Sequence, residues 1–203
     1  MKIARQHDDM VGPNKQFDHD ETLNKALQLF WEHGYEATSM QALVDAMGIN
    51  RASMYQTFGN KHELFVASIE RYMEGTLSSL KQLLEKPGSA LANLQDFFEE
   101  VVGQSVEGKM QGCFINNTAV ELGPHDAQLA EKIRQVWEKF EDVFATLLQR
   151  AIDEDEIKSG CDAQQLAQLL NINLQGLMVK SKANTSKKEL LDGIHSLFKL
   201  IQQ

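Results

Sequence analysis

The sequence predicts an all-α protein of about nine helices. Apolar residues recur at three- and four-residue spacing almost throughout the 203 residues, and strand-like alternation is scarce. Ser, Thr, Asp and Asn stand before many of the apolar stretches, while Gly and Pro close them.

The elements follow in order. Residues 1–17 show no periodicity and are expected to form a flexible arm. A helix starts near Asp20 and buries Leu23, Ala26, Leu27 and Phe30 on one face, with Gly34 as its left-handed stop. Thr38 opens the second helix, with Gln41 at capping-box spacing, and Gly48 ends it. Asn50 caps a third helix running to about Phe58. Asn60 with Glu63 opens a long fourth helix carrying Phe65, Ile69, Tyr72, Leu77, Leu80 and Leu84, which Pro87-Gly88 breaks. Leu91, Leu94 and Phe98 mark a fifth, and Phe114, Thr118 and Glu121 a short sixth stopped by Gly123-Pro124. Leu129, Ile133, Trp137, Phe140, Phe144, Leu147 and Ala151 form a long amphipathic seventh. Asp162 caps the eighth. Ser186 with Glu189 opens the last.

Composition excludes several function classes. A net charge of −9 argues against a surface coated in basic residues, yet Ala46 to His62 holds no acid and includes Arg51, Lys61 and His62. That gap is not diagnostic alone, because Ala163 to Lys188 is also free of acids. No apolar run approaches the ~20 residues that span a bilayer. Met1 to Phe17 lacks a signal peptide's apolar centre, so no membrane association and a cytoplasmic location are expected. Cys113 and Cys161 form neither a CxxC nor a metal-ligand spacing, and no disulfide is expected. The six histidines make no HxxxH, HExxH or Glu-x-x-His pattern, so no metal and no cofactor are expected. There is no phosphate loop and no nucleophile–base pairing, so the chain is not expected to be an enzyme.

The informative stretch is Gly34 to Phe65. Two short helices meet at Gly48, where tolerance of positive φ permits a tight turn, and Ala42, Leu43 and Ala46 can pack one on the other. This is helix-turn-helix geometry, whose second helix enters the DNA major groove. On that second helix, Arg51, Ser53, Gln56 and Thr57 can bond base edges or phosphates, and Tyr55 offers a hydroxyl at the groove edge. Met54 is compatible with either the core or a thymine methyl, and Phe58 belongs in the core. Lys61 lies at the start of the next helix, where the helix end adds attraction for phosphate.

Gly34-Tyr35, Thr38-Ser39, Ala46-Met47-Gly48-Ile49, Tyr55-x-x-Phe58, Lys61 and Leu64-Phe65 together resemble the signature of the TetR family of transcription regulators. The resemblance implies an N-terminal three-helix DNA-binding domain (18–64) and a C-terminal helical domain (65–203) that binds a ligand and dimerises. It also implies a homodimer on a palindromic double-stranded operator. Thr38, Tyr55 and Lys61 would then contact phosphates, and Ser39 and residues from Asn50 to Thr57 would complete the DNA-facing set. Phe17-Asp18-His19-Asp20 resembles the arm of a family subset, with Lys15 as its only nearby cation.

In the C-terminal part, Gly112-Cys113-Phe114 with Asn116-Asn117 and Glu121 resembles one subgroup of the family without naming its effector. The apolar helices offer Phe97, Phe98, Phe114, Trp137, Phe140, Phe144 and Leu174 as walls of a small-molecule pocket, with Asn116, Asn117, Asn171 and Asn173 as orienting amides. The same aromatics at helical spacing also suit a plain core. Cys113, four residues from Lys109, could instead react with an oxidant or electrophile. Leu166, Leu170, Leu177, Leu190, Ile194, Leu197 and Ile201 can pack the last two helices against a two-fold mate. The expected function is an operator-binding repressor relieved by a small molecule. A small helical enzyme, and a helical interaction protein without DNA binding, are the competing expectations.

Overall fold

The computed structural model of the chain describes residues 17–107, 111–158 and 160–202. The expected arm up to residue 16, with Lys15, and Lys109 near Cys113 lie outside the described residues. Among the described residues there are nine helices and no strand: α1 (His19–His33), α2 (Met40–Met47), α3 (Arg51–Phe58), α4 (Lys61–Glu85), α5 (Ala90–Glu107), α6 (Phe114–Glu121), α7 (Ala127–Asp153), α8 (Ala163–Lys182) and α9 (Lys187–Ile201). No helix among them is long and apolar enough to cross a membrane.

Local chemistry sets the boundaries. Asn50 accepts from Ser53 N–H at 2.8 Å at the head of α3. Asn60 and Glu63 form a reciprocal capping box on α4, and Asp162 accepts from Gln164 and Gln165 N–H on α8. The start of α2 departs from expectation. Ser39, not Thr38, is its cap and accepts from Ala42 N–H at 3.1 Å. Thr38 is turned inward, its hydroxyl donating to the Gly34 carbonyl at 2.6 Å, so the competition between adjacent hydroxyls is decided by burial. Gly48 adopts φ 69° at the end of α2, as the tight turn requires.

Two packed units share one helix. In the first, α1 lies against α2 and α4, and Phe30, Leu43, Met47, Met54, Phe58 and Phe65 fill the space between them. In the second, α5, α7, α8 and α9 pack around Leu94, Phe98, Phe144, Leu170 and Phe198. The continuous α4 begins in the first unit, crosses the expected boundary at residue 64 and packs against α5, α6 and α7. Its start is held to the second unit by His62 Nε2, 2.8 Å from the Asp126 carboxylate at the cap of α7.

Candidate nucleic-acid interface and ligand cavity

The short helix α3 presents one polar face. Arg51, Tyr55, Gln56 and Thr57 are exposed, Ser53 is half-buried, and Met54 and Phe58 turn into the core. Tyr55 is 45% exposed on this face. Lys61 directs its ammonium toward the α1–α2 turn, 4.4 Å from the Tyr35 ring centroid and 3.5 Å from the Glu36 carbonyl oxygen. Lys61, Tyr55 and Arg51 therefore belong to a segment whose only acids nearby in sequence are Asp45 and Glu63. Asp45 is engaged by Gln41 Nε2 and Glu63 by the Asn60 N–H.

Three of the expected DNA-facing side chains occupy other roles. Met54 is fully buried, so the core alternative holds and the thymine methyl is out of its reach. Thr38 is 2% exposed, with its hydroxyl proton given to Gly34. Asn50 is exposed, but its side-chain oxygen caps α3. Ser39 is exposed with its oxygen accepting from Ala42 N–H.

A cavity of about 810 Å³ opens between the two units. Its wall combines Trp31 of α1, Tyr72 and Thr76 of α4, Phe97 and Val101 of α5, Cys113 and Ile115, Trp137 and Phe140 of α7, and Leu174 and Met178 of α8. Amides of Gln28, Gln104, Gln111 and Gln175 interrupt an otherwise mostly apolar surface. Among the described residues the lining holds two carboxylates, Glu32 and Glu107, and no Lys, Arg or His.

Of the expected pocket residues, the structure brings Phe97, Cys113, Trp137, Phe140 and Leu174 to this cavity. Phe98 and Phe144 do not reach it. They are fully buried and pack on each other at 5.7 Å, with Phe198 against Phe98 at 5.4 Å. Phe114 also lies elsewhere, 1% exposed and edge-on to Phe65 at 5.6 Å and Tyr72 at 5.7 Å, where it locks α6 to α4. Asn171 is consumed internally, donating to the Trp137 carbonyl and to Glu141 and accepting from Gln175. Asn117 donates to the Gln111 carbonyl at 3.0 Å.

Among the wall residues missed in the sequence are the aromatics Trp31 and Tyr72. Trp31 stands next to Phe30, outside the stripe that fills the first unit, and a bulky aromatic just off a complete apolar stripe was the available signal. Trp31 Nε1 donates to the Gly112 carbonyl at 3.2 Å, and its ring meets Tyr72 at 5.0 Å.

Cys113 is partly exposed as a residue, yet its sulfur is shielded from water, which pushes its pKa above the ordinary thiol value. Backbone N–H groups of Asn116 and Ile115 and the Tyr72 hydroxyl, 3.9 Å away, oppose that shift without overcoming it. Cys161 is exposed and outside the cavity. Among the described residues, no group of three or more His, Cys, Asp or Glu is placed to hold a metal ion.

The expected dimer residues divide. Leu170, Leu190, Ile194 and Ile201 are buried within the chain itself, so they complete its own core. Leu166, Leu177 and Leu197 are half-buried. The apolar side chains left outside are instead Leu169, Ile172 and Val179 on α8 and Leu200 on α9, at 46, 68, 59 and 68% exposure. The expected set therefore divides between the chain's own core and three side chains that stay partly open beside the exposed ones.

Known proteins share this arrangement. Residues 23–68 match the family described as bacterial regulatory proteins, tetR family, and residues 90–196 match the tetracyclin repressor-like C-terminal domain. The chain is 35% identical over 186 residues to the HTH-type transcriptional regulator YezE of Bacillus subtilis (strain 168), covering 91% of this chain and 96% of that one. It is 32% identical over 182 residues to the HTH-type transcriptional repressor ComR of Escherichia coli (strain K12), covering 89% and 87%. The fold superimposes with a TM-score of 0.81 on a cysteine mutant of the TetR family transcriptional regulator CifR complexed with 26 bp double-strand operator DNA. That match covers 93% of this chain and 98% of that chain at 24% identity.

Proposed function

The chain belongs to the TetR family of DNA-binding, non-enzymatic transcriptional regulators, and from that premise we propose that it is a homodimeric repressor released from a palindromic operator by a small molecule. The observation that carries this reading is the composition of the cavity wall. Trp31 comes from the helix-turn-helix unit, Tyr72 from the shared α4, and Trp137 and Leu174 from the second unit. A molecule filling that space touches all three, and its affinity differs between two arrangements of the units, which is what a ligand needs to shift an equilibrium.

On DNA, Arg51, Ser53, Gln56 and Thr57 meet base edges, and Ser39, Tyr55 and Lys61 hold phosphates. Thr38 shapes the turn that carries them. Leu166, Leu169, Leu177, Leu197 and Leu200 form the face toward a second copy, with the two α3 helices about one DNA turn apart, ~34 Å. The effector is mostly apolar, fits between Phe97, Trp137 and Phe140, and is oriented by the glutamine amides.

Cys113 supports a second reading, since it lies on the same wall. Its raised pKa favours a resting thiol, so modification there requires an electrophile that first binds the cavity.

The test is binding of the purified protein to its own upstream DNA across a salt series, against scrambled DNA of equal length. Specific, salt-sensitive binding by a dimer supports the repressor reading. Absence of preference there and in a genome-fragment selection sinks it in favour of an interaction protein that keeps the fold.

A further inference from the structure

We propose that Glu121 is the positioning residue through which occupancy of the cavity reaches the DNA-facing turn, an inference that rests on the regulatory reading above. Glu121 ends α6. Its two carboxylate oxygens each accept one backbone N–H of the α1–α2 turn, Oε2 from Tyr35 and Oε1 from Glu36, both at 2.9 Å. The approach is close. A Cβ on Gly34 would stand 2.9 Å from Oε2, and Gly34 also holds φ 81°, so this turn accepts the carboxylate only with glycine there.

The gripped turn is tied directly to the DNA-facing segment. The Tyr35 ring lies under the Lys61 ammonium at 4.4 Å, edge-on to His62 at 6.2 Å and to Phe65 at 5.1 Å. Ser39, the cap of α2, follows the turn by three residues beyond Glu36. The other end of α6 is the cavity wall, through Cys113 and Ile115, and Gly112 just before it accepts from Trp31. With only eight residues, α6 moves as one piece, so a displacement at Cys113 arrives at Glu121.

A second observation marks this position of α6 as one of two. Asn116, in the middle of the helix, is 7% exposed, and both its amide nitrogen and oxygen are buried without a hydrogen-bond partner among the described residues. Desolvating an amide without a partner is unfavourable, so a shift of α6 that wets Asn116 is assisted, while the Glu121 clasp opposes it. The helix is thereby poised between a clasped arrangement and a released one.

The experiment uses full-length Glu121→Gln and Asn116→Leu proteins, with DNA fragments selected by the wild-type chain as probe. Three quantities are read: DNA affinity, melting temperature, and amide hydrogen exchange of residues 34–40 and 111–121 with and without DNA. In Glu121→Gln, DNA affinity should fall about tenfold, the scale of allosteric coupling, while the dimer and its melting transition persist. Tyr35 and Glu36 amides should lose protection, and DNA should no longer slow exchange in α6. In Asn116→Leu the orphan amide is gone, so affinity should rise and α6 should become more protected. Wild-type affinity and undiminished DNA-dependent protection of α6 in Glu121→Gln would overturn the clasp. Failure of the wild-type chain to select any DNA would instead overturn the regulatory reading on which it stands. Exchange at Tyr35 and Glu36 still separates the two cases, because it needs no DNA.

Discussion

The ammonium of Lys61 lies 4.4 Å from the centroid of the Tyr35 ring, and this pairing holds a positive charge beside the turn that precedes α2. The ring attracts the cation without neutralising it, so the charge remains available to a phosphate. Replacing Lys61 by Ala together with Tyr55 by Phe should therefore weaken binding to every DNA sequence alike. The slope of log affinity against log salt should flatten by about 2, one released counterion for the Lys61 of each protomer in the proposed dimer. A salt titration on specific and scrambled fragments checks this. An unchanged slope would remove the phosphate role of Lys61.

Met54 and Gln56 lie two residues apart on α3 and should behave as opposites. Met54→Ala should destabilise the fold by about 2–5 kcal/mol, the range for truncating a fully buried large side chain. Gln56→Ala, on the exposed face, should melt within about 0.5 kcal/mol of the parent and change operator preference instead. Denaturant melts and binding to single-base operator variants separate the two effects.

Inner and outer apolar residues of α8 and α9 make a similar contrast. Leu169→Glu with Leu200→Glu should convert a dimer to a monomer that remains helical, because both side chains are outside the chain's own core. Ile194→Ala should lower the stability of the chain itself by about 2–5 kcal/mol. Analytical ultracentrifugation alongside circular dichroism distinguishes loss of association from loss of fold.

The Asp126 carboxylate is held below its ordinary pKa, first by the Leu129 N–H at the cap of α7 and then by the His62 hydrogen bond. A group with a depressed folded pKa stabilises the folded form above its unfolded value and loses that effect as pH falls through the folded one. The contribution of this link should therefore be complete above about pH 4 and vanish on further acidification. Asp126→Asn, which keeps a cap acceptor, should flatten the acid limb of stability against pH. An identical acid limb in the variant would assign that limb to other carboxylates.

Much of this architecture was legible because its signals are local. Asn50, Asn60 with Glu63, Asp162 and Gly48 are chemical punctuation, and each acts where the sequence puts it. The cap of α2 was misplaced because Thr38 and Ser39 are both competent, and only the tertiary environment of Gly34 chooses between them. Orientation was harder. Phe97 and Phe98 are neighbours, as are Leu169 and Leu170, and periodicity cannot say which of two adjacent apolar stripes meets the chain's own core. Glu121 stood out in the run that resembles a family subgroup, but its contacts span 85 and 86 residues to backbone N–H groups, which side-chain pattern does not identify.

The continuity of α4 gives the molecule a mechanical ratio. Thr76 to Ser79, on the cavity wall, stand 15 to 18 residues from Lys61, a span of about 25 Å at the helical rise. A tilt of about 5° pivoting there carries the Lys61 end about 2 Å. In a two-fold pair both ends move, so the separation of the recognition helices changes by up to about 4 Å, more than the ~3.4 Å step between base pairs. In the proposed dimer, an unbroken lever of this length would let a displacement too small to disturb the packing of either unit throw the two reading heads out of register with the groove.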